Sequence, residues 1–129
     1  MRVVDASALI EALMLTEPGL EIGHLLFEES SSLHAPELID LEVAQVVRRY
    51  EHLGNLTGER GAALLQDLSD VAIERYSHRL LLPRVWELRH NLTAYDAAYV
   101  ALAEVLDATL LTRDARLAAA PHRARVEVI

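Results

Sequence analysis

The sequence contains neither cysteine nor lysine. The first absence excludes disulfides, cysteine-ligated zinc, iron–sulfur clusters and thiol nucleophiles, and it permits a reducing compartment. The second removes every side-chain ammonium group, and with it Schiff-base chemistry and the lysine of a phosphate-binding loop. All twelve basic residues are therefore arginine. Glycine and proline are sparse and nowhere form a linker, and the Ser30-Ser31-Ser32 run is a short connection. No apolar run approaches the roughly 20 residues that cross a bilayer. The start, Met1-Arg2-Val3-Val4-Asp5, lacks the cationic and then apolar pattern of a secretion signal, so a cytoplasmic protein is expected.

What is present is a chain of 129 residues, 52% hydrophobic and 25% charged, which suits one domain over residues 1–129 with one core. A net charge of -8 argues against holding nucleic acid by a basic surface. It does not exclude a nuclease, because carboxylates gathered around divalent cations make the formal charge more negative than the working one.

Short β-branched runs alternate with longer helical ones. Strands are predicted at Arg2 to Asp5, Leu33 to Ala35 (stopped by Pro36), the end of Val71 to Ser77, Ala108 to Thr112, and Val126 to Ile129 at an edge. Helices are predicted at Ala6 to Leu15, Pro18 to Glu29, Glu37 to Leu53, Arg60 to Asp70 capped by Thr57, Pro83 to Asn91, Ala94 to Leu106, and Asp114 to Ala119. This alternation implies a mainly parallel sheet of about five strands between helices, a three-layer α/β sandwich, with any working site at the carboxyl ends of the strands.

Two acids stand at such ends. Asp5 and Asp114 each follow a predicted strand and precede a helix, a place that an N-cap residue also occupies. Glu42 lies on the boundary between the apolar and polar faces of its helix, where a solvated glutamate is equally at home. Asp96 follows Thr93 by three residues, as in a capping box, yet opens an alanine-rich helix in which a buried carboxylate needs a partner. Each acid alone is ordinary. Four that converge in one crevice repel one another unless divalent cations hold them, and oxygen ligands without cysteine or paired histidine select Mg2+, with Mn2+ as the alternative.

The segments V-V-D-A-S-A-L-I at Val3 to Ile10, E-L-I-D-L-E-V-A at Glu37 to Ala44, L-T-A-Y-D-A-A-Y-V-A-L-A at Leu92 to Ala103 and L-L-T-R-D-A-R-L at Leu110 to Leu117 resemble the motifs of PIN domains. In particular they resemble the VapC-type toxin ribonucleases of VapBC toxin–antitoxin pairs, over essentially the whole chain. The resemblance implies an acidic pocket built from Asp5, Glu42, Asp96 and Asp114, with Ser7 and Thr112 as supporting hydroxyls. It implies a metal-dependent endoribonuclease, a homodimer, and a small VapB-type antitoxin that covers the pocket. Arg113, Arg116, Arg49 and Arg89, together with Arg48, are candidate contacts to RNA phosphates, and equally ordinary surface charges. Tyr95 and Tyr99 read as core residues that could instead stack on bases. Alternatives are a PIN nuclease of RNA processing without an antitoxin and a non-catalytic partner-binding module. Receiver domains and dehalogenase-like phosphatases need a lysine that this chain lacks.

Overall fold

The computed structural model describes residues 1–129 in full. Five strands, β1 (Arg2–Val4), β2 (Leu33–Pro36), β3 (Ile73–Tyr76), β4 (Thr109–Thr112) and β5 (Val126–Val128), form a wholly parallel sheet in the order β3-β2-β1-β4-β5. The helices are α1 (Ala6–Leu13), α2 (Glu17–Leu26), α3 (Leu38–His52), α4 (Gly58–Asp70), α5 (Leu82–Glu87), α6 (Ala94–Leu106) and α7 (Ala115–Ala119), with a 3-10 turn at His78–Leu81 before α5. None of them is long and apolar enough to cross a membrane.

The chain steps from β1 to β2 to β3 in one direction across the sheet and from β3 through β4 to β5 in the other. Parallel crossovers are right-handed, so α1 to α4 cover one face and α5 to α7 the other. The packing agrees: α1 touches α2, α3 and α4, while α6 lies across β1, β2 and β4. Between the adjacent strands β1 and β4 the winding reverses. The chains leaving them diverge to opposite faces, and a crevice opens at their carboxyl ends.

The core explains the apolar runs. Val3 and Val4 of β1, and Leu110 and Leu111 of β4, are fully buried, as central parallel strands covered on both faces must be. Residues Ala97 to Ala103 are buried without interruption. The four alanines among them, Ala97, Ala98, Ala101 and Ala103, let α6 lie close against the middle of the sheet, so this helix is apolar nearly all round rather than striped.

Three local departures from the sequence reading have physical causes. Pro36 does not stop β2 at Ala35 but is its last residue. The Glu37 N–H donates to the Tyr76 carbonyl at 2.8 Å, so the missing N–H of Pro36 faces β1, whose pairing with β2 ends at Val3 and His34. The helix predicted from Pro83 to Asn91 stops at Glu87, because the next amides reach back only three residues, Arg89 to Trp86 and Asn91 to Leu88, each at 3.2 Å. The helix predicted through Glu29 ends at Leu26, and a turn closed by Ser31 N–H on Glu28 O at 3.2 Å brings the chain to β2.

Candidate active site

Asp5 caps α1 and is 6% exposed. Its Oδ1 accepts from the Ser7 hydroxyl at 2.6 Å and the Ala8 N–H at 3.0 Å, and its Oδ2 accepts from the buried Thr112 hydroxyl of β4. Each hydroxyl has given its one proton to Asp5, so the 3.4 Å approach between Ser7 Oγ and Thr112 Oγ1 is a simple contact. Each in turn accepts a backbone amide, Ser7 from Arg113 and Thr112 from Asp114, both at 3.0 Å. The loop after β4 is thereby tied to the loop after β1 through one carboxylate. Burial is the largest influence on that carboxylate and holds it above its ordinary range. The hydrogen bonds from Ser7, Thr112 and Ala8 oppose the shift, and the charge of Asp96 adds to it.

Glu42, half-buried on the second turn of α3, borders the same crevice from the helical layer that holds α1. The Tyr99 hydroxyl of α6 donates to its Oε1 at 2.6 Å. Burial raises the Glu42 carboxyl, the Tyr99 bond opposes this, and the charges of Asp96 and Asp5 raise it further. Tyr99 is 2% exposed, and burial followed by Glu42 pushes its phenol far above the ordinary value. It is core, as its helical position implies, but its hydroxyl belongs to the site. A helical wheel shows which side of α6 Tyr99 occupies, not what stands across the sheet. Its sequence separation of 57 from Glu42 carries no local signal.

Asp96 is the third residue of α6. Its backbone N–H is capped by Thr93 Oγ1 at 3.2 Å, while its carboxylate makes no reciprocal capping bond. Asp5, Glu42 and Asp96 thus repel one another with no arginine paired to any of them. Asp114 differs. It caps α7, accepting the Arg116 N–H at 2.9 Å, and the Arg116 guanidinium takes both its oxygens, Nε at 3.0 and 3.1 Å and Nη2 at 2.5 Å. That fork holds its carboxyl below the usual range.

Carboxylate and hydroxyl oxygens are the donor set of a hard divalent cation. The mutual repulsion of three acids with no basic side chain among them fits such an ion. As the side chains stand, no three acidic or histidine groups form a ready cage. Asp5 and Asp114 spend their oxygens on internal donors, which a cation has to displace.

The other candidates are dispersed. Arg113 donates to the Ile129 carbonyl at 3.0 Å, next to the site. Arg48 and Arg49 lie exposed on α3 beyond Glu42. Arg89 stacks over Trp86 at 4.3 Å and donates to its carbonyl at 2.8 Å, so it is engaged with α5. Tyr95 is not core but 66% exposed. It borders a cleft of ≈ 480 Å³ lined also by Ser7, Ile10, Leu38, Glu42 and Gln45. Asp40, on α3, accepts both arms of the Arg75 guanidinium at 2.7 and 2.9 Å. His34 is buried between Ser32 Oγ and Tyr76 OH, both at 2.7 Å, away from the acids.

The class that fold and site define is a parallel α/β sandwich with an acidic crevice at its winding reversal, and the comparisons narrow it. The PIN domain family matches residues 2–123. Ribonuclease VapC1 of Mycobacterium tuberculosis is 44% identical over 120 residues, covering 92% of this chain and 90% of that protein. The structure of M. tuberculosis VapC20, described as a sarcin–ricin loop cleaving toxin, aligns at TM-score 0.72 over 95% of this chain and 97% of that one, with 14% identity. VapBC2 from Rickettsia felis, bound to a DNA fragment from its promoter, aligns at TM-score 0.73 over 98% and 97%, also with 14% identity. The chain belongs to the PIN-domain family, in its VapC group.

Proposed function

We propose that this chain is the ribonuclease toxin of a VapBC-type toxin–antitoxin pair, a metal-dependent endoribonuclease whose residues 1–129 act as one domain in the cytoplasm. The observation that carries the reading is the convergence of Asp5, Glu42 and Asp96 without a counter-ion, in a chain whose 44% identical relative is named a ribonuclease. Mg2+, or Mn2+ in its place, would be held by Asp5, Asp96 and Asp114 with Glu42 beside them. When bound, such an ion acidifies the attacking water and steadies charge on the departing oxygen.

The chain's own groups supply the rest. Ser7 and Thr112 fix the Asp5 carboxylate in both position and rotation. Tyr99 holds Glu42 by Oε1, which leaves Oε2 to orient the attacking water and accept its proton. Cleavage then leaves a 5'-phosphate and a 3'-hydroxyl without using the ribose 2'-hydroxyl. Arg113, Arg116 and Arg49 would meet phosphates flanking the scissile bond, with Arg89, stacked on Trp86, as a further contact. The partners are RNA, a VapB-type antitoxin over the crevice, and a second copy of the chain.

The test is cleavage mapping of total RNA with the purified protein. Discrete 5'-phosphate ends that appear with Mg2+ or Mn2+ and vanish with chelator support the reading. Cleavage that is indifferent to chelator, or leaves 2',3'-cyclic ends, overturns it.

A further inference from the structure

Of the four acids at the crevice, Asp114 alone carries a guanidinium. Arg116 occupies both of its oxygens from two residues away. The two partners differ in freedom. The Arg116 side chain is 82% exposed, whereas that of Asp114 is 25% exposed. The Asp114 backbone is pinned by its N–H on Thr112 Oγ1 at 3.0 Å, and its carboxylate keeps the α7 capping bond from Arg116 N–H at 2.9 Å.

We infer that Arg116 is a displaceable counter-ion, a positioning residue that holds Asp114 when no cation is bound and yields it when one is. This rests on the reading of Asp114 as a metal ligand. A carboxylate has two oxygens, and the fork uses both. A divalent ion taking either one sets its charge directly against the guanidinium. The exposed pair contributes little stability, so its release costs little, and the pinned backbone keeps the carboxylate at the crevice after the guanidinium leaves. The released guanidinium remains at the rim beside Asp114, because its backbone N–H still caps onto that carboxylate. There a phosphate oxygen replaces the carboxylate as its bidentate partner. Arg116 thus exchanges one anion for another as the site loads.

The substitution Arg116→Ala isolates this role, because the capping bond comes from the backbone N–H and survives it. The experiment is a Mn2+ titration of the full chain without RNA, read by calorimetry and by the shift in melting temperature, followed by steady-state cleavage. Half-saturation should need about two- to fivefold less Mn2+ in Arg116→Ala, the size that an exposed ion pair supports. Arg116→Lys, which cannot fork, should lie between it and the parent. In an Asp114→Asn background the Arg116 substitution should change Mn2+ binding by less than the error. In cleavage the loss should fall on KM more than on kcat. Half-saturation that is unchanged or higher in Arg116→Ala overturns the inference while leaving the metal reading intact. No Mn2+ response in either protein overturns both.

Discussion

Asp5 is held by three donors yet remains a buried carboxylate whose proton affinity is raised above the ordinary range. Asp5→Asn keeps the size and most of the hydrogen bonding but removes the charge a cation needs. Cleavage in Mg2+ should fall by more than about 100-fold, since even the partners that orient a metal ligand are worth about 10- to 100-fold. The metal-free protein should behave in the opposite sense. A carboxyl whose folded-state pKa is raised contributes nothing unfavourable below its unfolded value and destabilises the fold increasingly as pH rises toward the raised one. Melts in chelator should show Asp5→Asn gaining on the parent protein as pH rises above the ordinary carboxylate range near pH 4. An advantage that is constant with pH, or larger in acid, would contradict this. Tyr99→Phe removes only the hydroxyl on Glu42 Oε1. It should cost about 1 kcal/mol of stability in a urea melt and about tenfold or more in kcat, with discrete cleavage ends unchanged in position. Of these two residues, Asp5 was visible as an acid at a strand end. Tyr99 was not, because a hydroxyl that reaches from one layer to the next leaves no mark in the residues beside it.

The helices and strands were legible where their ends carry chemistry. Thr57 and Thr93 cap α4 and α6 through bonds to Arg60 and Asp96 at 3.1 and 3.2 Å, and Ala94–Leu106 matches its predicted bounds. Ends without such signals slipped. Leu88 to Asn91 keep helical composition but turn tightly before α6 begins at Ala94, and α2 stops early where the chain turns at Glu28 to Ser31 toward β2. One helix contact depends on a single missing atom. A Cβ on Gly19 would meet the Glu11 carbonyl at 2.2 Å, where α2 closes on α1. Gly19→Ala should therefore part these helices and lower stability by about 1–3 kcal/mol, read as a lower urea midpoint with an unchanged slope. The substitution should lower activity only through the folded fraction, since neither helix end at Gly19 touches the acids.

The whole molecule carries a net charge of -8, so general attraction cannot bring it to a polyanion. RNA should bind through the loaded crevice and the few arginines near it. Fluorescence anisotropy with a phosphorothioate RNA that resists cleavage should show affinity at least about tenfold weaker in chelator than in Mn2+. The salt dependence should be shallow, corresponding to only a few phosphate contacts. Tight binding in chelator with a steep salt slope would point to a basic surface that the composition denies.

Composition alone removed thiol, lysine and disulfide chemistry, and the order and type of the elements followed from caps, periodicity and strand-end residues, all properties of neighbours within a turn or two of one another. Those forces act along the chain and are written in it locally. Which strands lie side by side was settled elsewhere. Burying both faces of the sheet under right-handed crossovers set β4 against β1, and so brought Thr112 to Asp5 across 107 residues. The same collapse turned the Tyr99 hydroxyl onto Glu42 across 57 residues. Such pairings belong to the three-dimensional balance of desolvation and packing, which no short window of residues contains.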